Sequence, residues 1–150
     1  MGYTHYFPQS RSFKSDEWEK AKDGVKKIVE YCQSQGITLQ YEYNDSSDVA
    51  ITDKVIRFNG VGDDLGHETF YISKDLTYED WQDKTKPAFA FCKTARKPYD
   101  LAVCLSLLKI KEIAPDAIQI SSDGDWDSEW KQPRSVYKEL FKTEPPKINE

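Results

Sequence analysis

Three short runs in the first half of the chain, ITLQYEY (37–43), KVIRFNG (54–60) and ETFYISK (68–74), are rich in β-branched and aromatic residues and are separated by Asn, Asp, Ser and Gly. They constrain the fold more than any other feature. Strands this close in sequence, with no helix between them, pair as antiparallel neighbours. Within LQYEY the alternation places Leu39, Tyr41 and Tyr43 on one face and Gln40 and Glu42 on the other, as a sheet with one wet side requires. GYTHYF (2–7), ending at Pro8, reads as an early strand. PAFAFCK (87–93), with Phe89 and Phe91 on one face, and AIQISS (117–122) complete the set.

Helical spacing appears in three places. Ser15 precedes Trp18, Ala21, Val25, Ile28, Val29 and Cys32, a run that stops at Gly36 as its C-cap. Gly24 inside it costs about 1 kcal/mol relative to Ala, which fits close packing or a slightly shifted boundary. Pro98 opens a second helix whose buried stripe is Leu101, Cys104, Leu105, Leu108 and Ile113, ending near Ala114. A third begins near Pro133, with Val136, Tyr137, Leu140 and Phe141 apolar. Residues 76–87 read as a loop with at most one helical turn after Thr77. The order β-α-β-β-β-β-α-β-α has too few helices for a doubly wound parallel sheet. It predicts an α+β domain over residues 1–142, a mostly antiparallel sheet with its helices on one face, and a flexible tail at 143–150.

At 150 residues the chain can bury a core without disulfide or metal staples. Its 21 basic and 26 acidic residues leave a net charge of −5, which disfavours general nucleic-acid binding. Cys32, Cys92 and Cys104 are odd in number and lack C-x-x-C spacing, which suits buried thiols in a reducing cytoplasm; no metal and no cofactor is expected. No apolar run approaches the roughly 18 to 20 residues of a membrane span, and no signal-peptide core is legible, so a cytoplasmic protein is expected. MGYTHY departs from a myristoylation site at Tyr6.

The segment CKTARKPYD (92–100) concentrates Lys93, Arg96 and Lys97 on a predicted strand-to-helix turn, where backbone N–H groups and the helix dipole favour an anion. With Thr94 they make a candidate phosphate site; the competing reading is a solvated turn whose charges pair with surface acids. Asp100 is placed to cap its own helix, and Tyr99 to stack on a ligand or be half buried. GVGDDLGHETF (60–70) joins two strands and so fails the context of a dinucleotide fingerprint, yet its His67 and Glu68, with His5, are candidates for acid–base catalysis. Glu68 is also placed to orient Arg96. SSDGDWDSEW (121–130) offers alternating carboxylates, but an EF-hand from Asp123 would meet Ser128 and Arg134 where Gly and Glu are required. A turn at Ser122-Asp123-Gly124 is the simpler expectation.

MGYTHYF, FNG, ETF, CKTARKPYD and SSDG together resemble a group of small, largely uncharacterised bacteriophage and prophage proteins that commonly begin MGYTHYW, with Phe7 here in place of the Trp. The resemblance implies a phage setting, hence the host cytoplasm, and a shared polar site. It draws Tyr3, His5, Asn59, Glu68, Lys93, Thr94, Arg96, Lys97, Tyr99, Asp100, Ser122 and Asp123 into one candidate set. It also implies an anti-defence role, since phage proteins of this size can sequester cyclic or ADP-ribose-type nucleotide signals.

The expected function is capture of a phosphate-bearing, nucleotide-like small ligand without turnover. One alternative is a phosphodiesterase or glycosidic-bond hydrolase using His5 or His67 with Glu68. Another is a protein-binding inhibitor whose acidic surface meets a basic host factor. No membrane partner is expected, and a homo-oligomer is compatible with all three.

Overall fold

A computed structural model of the chain describes residues 2–42, 45 and 47–148. The elements run β1 (Thr4–Tyr6), α1 (Ser15–Ser34), β2 (Ala50–Ile51), β3 (Val55–Phe58), α2 (Gly62–Leu65), β4 (Phe70–Ser73), β5 (Phe91–Lys93), α3 (Asp100–Ile113), β6 (Ser121–Ser122) and α4 (Lys131–Phe141). The fold is α+β, and every strand pair is antiparallel.

The strands form two three-stranded sheets, β5-β1-β6 and β2-β3-β4, where one sheet was expected. Glu68 explains the break. Its N–H donates to the Lys93 carbonyl at 3.2 Å, but the return bond from the Lys93 N–H goes to the Glu68 side chain, Oε1, at 2.8 Å. A carboxylate thus stands where a backbone carbonyl would have continued the ladder. In each sheet alternate residues turn inward: His5, Phe7 and Cys92 in one, and Ile56, Phe58, Phe70 and Ile72 in the other. Phe89 and Phe91 do share a face, but it is the outer one, where both are exposed beside the half-buried Tyr6.

ITLQYEY is the clearest correction. Its described residues form only single bridges, Gln40 to Asn59 and Glu42 to Asp45. Gln40 is as buried as Leu39, while Tyr41 and Glu42 are both half exposed, so the two-face alternation fails; Tyr43 lies outside the described residues. Gln40 occupies the interior because its N–H and carbonyl pair with Asn59 and its side-chain amide donates to the Glu42 carbonyl at 3.0 Å. The short β2 supplies the third strand instead. Residues 76–87 contain turns and no helix.

The α1 stripe is the expected one: Trp18, Ala21, Val25, Ile28, Val29 and Cys32 are buried. Its start is held by Glu17, whose Oε1 accepts the Lys14 N–H at 2.8 Å, and Gly36 takes the positive φ of 83° that ends it. Gly24 marks close packing. A Cβ there would stand 2.6 Å from Cγ of Lys109 on α3. α3 departs from the predicted stripe because α1 and α4 both pack on it: every residue from Leu101 to Leu108 is buried, the polar Ser106 included, so this stretch is buried all round. It begins at Asp100, two residues after Pro98. Ile148, in the segment expected to be a flexible tail, is buried and belongs to the main hydrophobic cluster, while residues 149 and 150 lie outside the described residues. Among the described residues no helix is long and apolar enough to cross a membrane.

Candidate functional site

β1 is the middle strand of its sheet, and its register places His5 opposite both Cys92 and Ser122. The inward alternation buries the His5 ring completely. The first residue of α3 then brings Asp100 to it, with Oδ1 2.6 Å from His5 Nε2. On the other ring nitrogen, Nδ1 lies 2.8 Å from Ser122 Oγ. Tyr3 and Trp130 meet the ring edge-on at centroid distances of 5.1 and 5.2 Å.

The donors and acceptors assign the tautomer. Ser122 Oγ already accepts from the Gly124 N–H at 2.8 Å and the Trp130 Nε1–H at 3.1 Å, which fills both acceptor positions of a hydroxyl. Its own hydrogen therefore goes to Nδ1, which leaves the imidazole proton on Nε2 to be donated to Asp100. Asp100 Oδ1 accepts a second bond, from Thr94 Oγ1 at 2.6 Å. Cys104, one helical turn along α3, places Sγ 3.5 Å from His5 Nε2 and 3.6 Å from Asp100 Oδ2, to which its S–H donates. Burial first, and the Asp100 charge second, push the Cys104 thiol far above its ordinary value. Asp100 is thus a hub for His5, Thr94 and Cys104 rather than the helix cap expected of it.

Outside this cluster lies a recess of about 230 Å³ lined by Tyr3, Arg96, Lys97, Asp100, Glu129 and Gln132, among others. Its wall is the basic turn. Ala95 and Arg96 both take left-handed backbone angles, φ 53° and 60°, which cost non-glycine residues about 1–3 kcal/mol each. The turn is fixed by the Thr94 and Ala95 N–H groups, which both donate to the Tyr3 carbonyl. It delivers the Arg96 guanidinium 4.1 Å above the Tyr3 ring and 2.7 Å from Glu129 Oε2. Burial raises the Tyr3 phenol, so the ring stays neutral under its cation. Lys97 is half-buried on the same wall, and Lys93 lies outside it. The amides expected to be free for an anion are mostly engaged: Lys97, Asp100 and Leu101 donate to the carbonyls of Thr94, Lys97 and Pro98.

The remaining candidates stand apart. Asn59 is buried and holds the 60–69 loop, accepting from the Gly60 and His67 N–H groups and donating to the His67 carbonyl and Thr69 Oγ1. Glu68 binds the Lys93 N–H, so it does not orient Arg96; Glu129 does. His67 is exposed and shares no hydrogen-bond partner with His5 among the described residues. Tyr99 is fully buried, its hydroxyl donating to the Glu68 carbonyl at 2.5 Å, which removes it as a stacking surface. Asp123 accepts the Thr4 N–H at 3.0 Å and continues the sheet through its side chain. Cys92 is buried, and desolvation pushes its thiol up.

Sequence reading missed Cys104, Glu129 and Gln132 as members of the site. The D-x-x-x-C spacing of Asp100 and Cys104 was a usable signal, since residues four apart share a helix face; Glu129 had none beyond its acidic loop. No protein-family model, curated protein or solved structure matches the chain.

Proposed function

We propose that the protein captures a small phosphate-bearing ligand of nucleotide type in the recess beside the basic turn, without turning it over. The observation that carries this reading is Arg96, held by two successive left-handed residues and stacked on Tyr3 at the mouth of the recess. Strain of this kind persists only where surrounding structure enforces it, and it concentrates at ligand sites. Arg96 is more than half exposed, so its pair with Glu129 is worth about 1 kcal/mol or less and a phosphate can replace it at little cost. Lys97 adds a second cation. The exposed edge of Asp100, together with Gln132, supplies partners for sugar hydroxyls or a base amino group.

Turnover is not favoured. His5 has both ring nitrogens engaged inside the core, and the Glu68 carboxylate is bound to a backbone amide. In a phage setting such a protein would withdraw a nucleotide immune signal rather than destroy it.

The test is to incubate the purified protein with mixed nucleotides, cyclic and ADP-ribose-derived species included, and to analyse what heat releases. Intact ligand is expected, and Arg96→Ala should weaken its binding by about 10-fold or more while far-UV circular dichroism is unchanged. Altered ligand would move the reading to a hydrolase. Retention of no nucleotide, or undiminished affinity in Arg96→Ala, would remove the recess as the site.

A further inference from the structure

Three donor atoms of different chemistry converge at the inner end of Asp100: His5 Nε2, Cys104 Sγ and an Asp100 carboxylate oxygen, all within 4.8 Å of one another. We propose that they form a binding site for one divalent cation of borderline softness, of the Zn²⁺ or Co²⁺ kind. This does not depend on a nucleotide occupying the recess.

Both spacings to the sulfur fit a tetrahedral ion. Zinc bonds of about 2.3 Å to sulfur and 2.0–2.2 Å to nitrogen or oxygen place a sulfur about 3.5–3.6 Å from its neighbouring ligands. Sγ to Nε2 is 3.5 Å, and Sγ to Oδ2 is 3.6 Å. Oδ1, 2.6 Å from Nε2, stands where the ion would bond the ring, so the carboxylate turns as the ion enters: Oδ1 moves off Nε2 while keeping its bond from Thr94 Oγ1, and Oδ2 becomes the ligand. His5 has the outer partner that ligating histidines require, since Nδ1 faces Ser122 Oγ. The elements that carry the donors are a central strand and a helix, both rigid. A thiolate among the ligands selects against Mg²⁺ and Ca²⁺, which take oxygen donors.

Two hydrogens lie between the donor atoms: Nε2–H toward Oδ1 and S–H toward Oδ2. An entering ion replaces both. The thiol proton leaves to solvent, and the imidazole hydrogen moves to Nδ1; the Ser122 hydroxyl hydrogen turns away from the ring, so that Oγ accepts from Nδ1 and gives up its longer bond, from Trp130 at 3.1 Å. One proton is released per ion, and the thiolate and carboxylate together neutralise the dication. Of the three ligands, Asp100 alone lines the recess, so the ion enters and keeps its fourth position on that side.

Titration of chelator-treated protein with Co²⁺ tests this. One equivalent should bind with a thiolate-to-cobalt charge-transfer band, one proton should appear per ion in weakly buffered indicator solution, and Zn²⁺ should displace the cobalt. Cys104→Ser should abolish the band and weaken binding by at least about 100-fold, whereas Cys32→Ser and Cys92→Ser keep both. If Cys104→Ser does not fold, Cys104→Ala makes the same comparison with an apolar side chain. No band in the wild type, no proton release, or a band that survives loss of the Cys104 sulfur would each overturn the site.

Discussion

Asn59 has two acceptor positions and two donors on its side chain, and the chain uses them all to hold the 60–69 loop. Replacing it by Ala strands buried backbone groups, and we expect Asn59→Ala to lower stability by about 2–3 kcal/mol, a Tm loss of several degrees, while ligand binding in the recess is kept. Thermal melts with and without ligand check both halves; a variant that folds normally but no longer binds would return Asn59 to the site. Ala95 offers the opposite case. Its φ of 53° strains a Cβ, so Ala95→Gly should raise stability by up to about 1 kcal/mol, and a lower Tm would show that the turn stores no strain there. The sequence could mark Lys93, Arg96 and Lys97 as a basic cluster. It could not show that Arg96 alone would be stacked and steered, because Tyr3 and Glu129, which do this, lie 93 and 33 residues away.

Elements were legible where one face decides them. α1 has a wide apolar stripe and a polar remainder, so its 3.6-residue period survives in the sequence. α3 is buried all round and ITLQYEY is only bridged, and neither state leaves a clean period to read. The start of α1 carries a charge device as well. The Arg11 guanidinium grips the Glu17 carboxylate through both terminal nitrogens and bonds Asp116 beyond the helix. Arg11 first, and the Lys14 N–H in addition, hold the Glu17 carboxyl at about 2, against an ordinary 4.5. A depressed carboxyl stabilises the fold above its unfolded value and loses that contribution as pH falls through the folded one. Arg11→Ala should therefore cost about 1–2 kcal/mol at neutral pH, a gap that closes between pH 4.5 and about 2. Urea unfolding at both ends of that range measures it, and a gap independent of pH would assign the cost to packing instead.

At the scale of the molecule, one hydrophobic cluster runs from Phe7 to Ile148, while Trp81, Phe89, Phe91 and Tyr71 remain outside it. Phe70→Ala, inside, should destabilise by about 3–5 kcal/mol. Phe89→Ala, on the outer face of the first sheet, should cost no more than about 1 kcal/mol, and a larger loss would mean that this face is covered in solution. The α+β class was readable because strand-like runs cluster between helical ones. The division into two sheets was not, since it turns on whether the Glu68 carbonyl or its side chain meets Lys93. The middle strand β1 also sets the order in which the chain can fold. His5 leaves the ribosome 95 residues ahead of Asp100 and 117 ahead of Ser122. At roughly 5–20 residues per second, β1 waits several seconds without either neighbour, its aromatic residues open to chaperones and to strands of other chains. The histidine cluster thus closes only once the chain has emerged as far as Ser122.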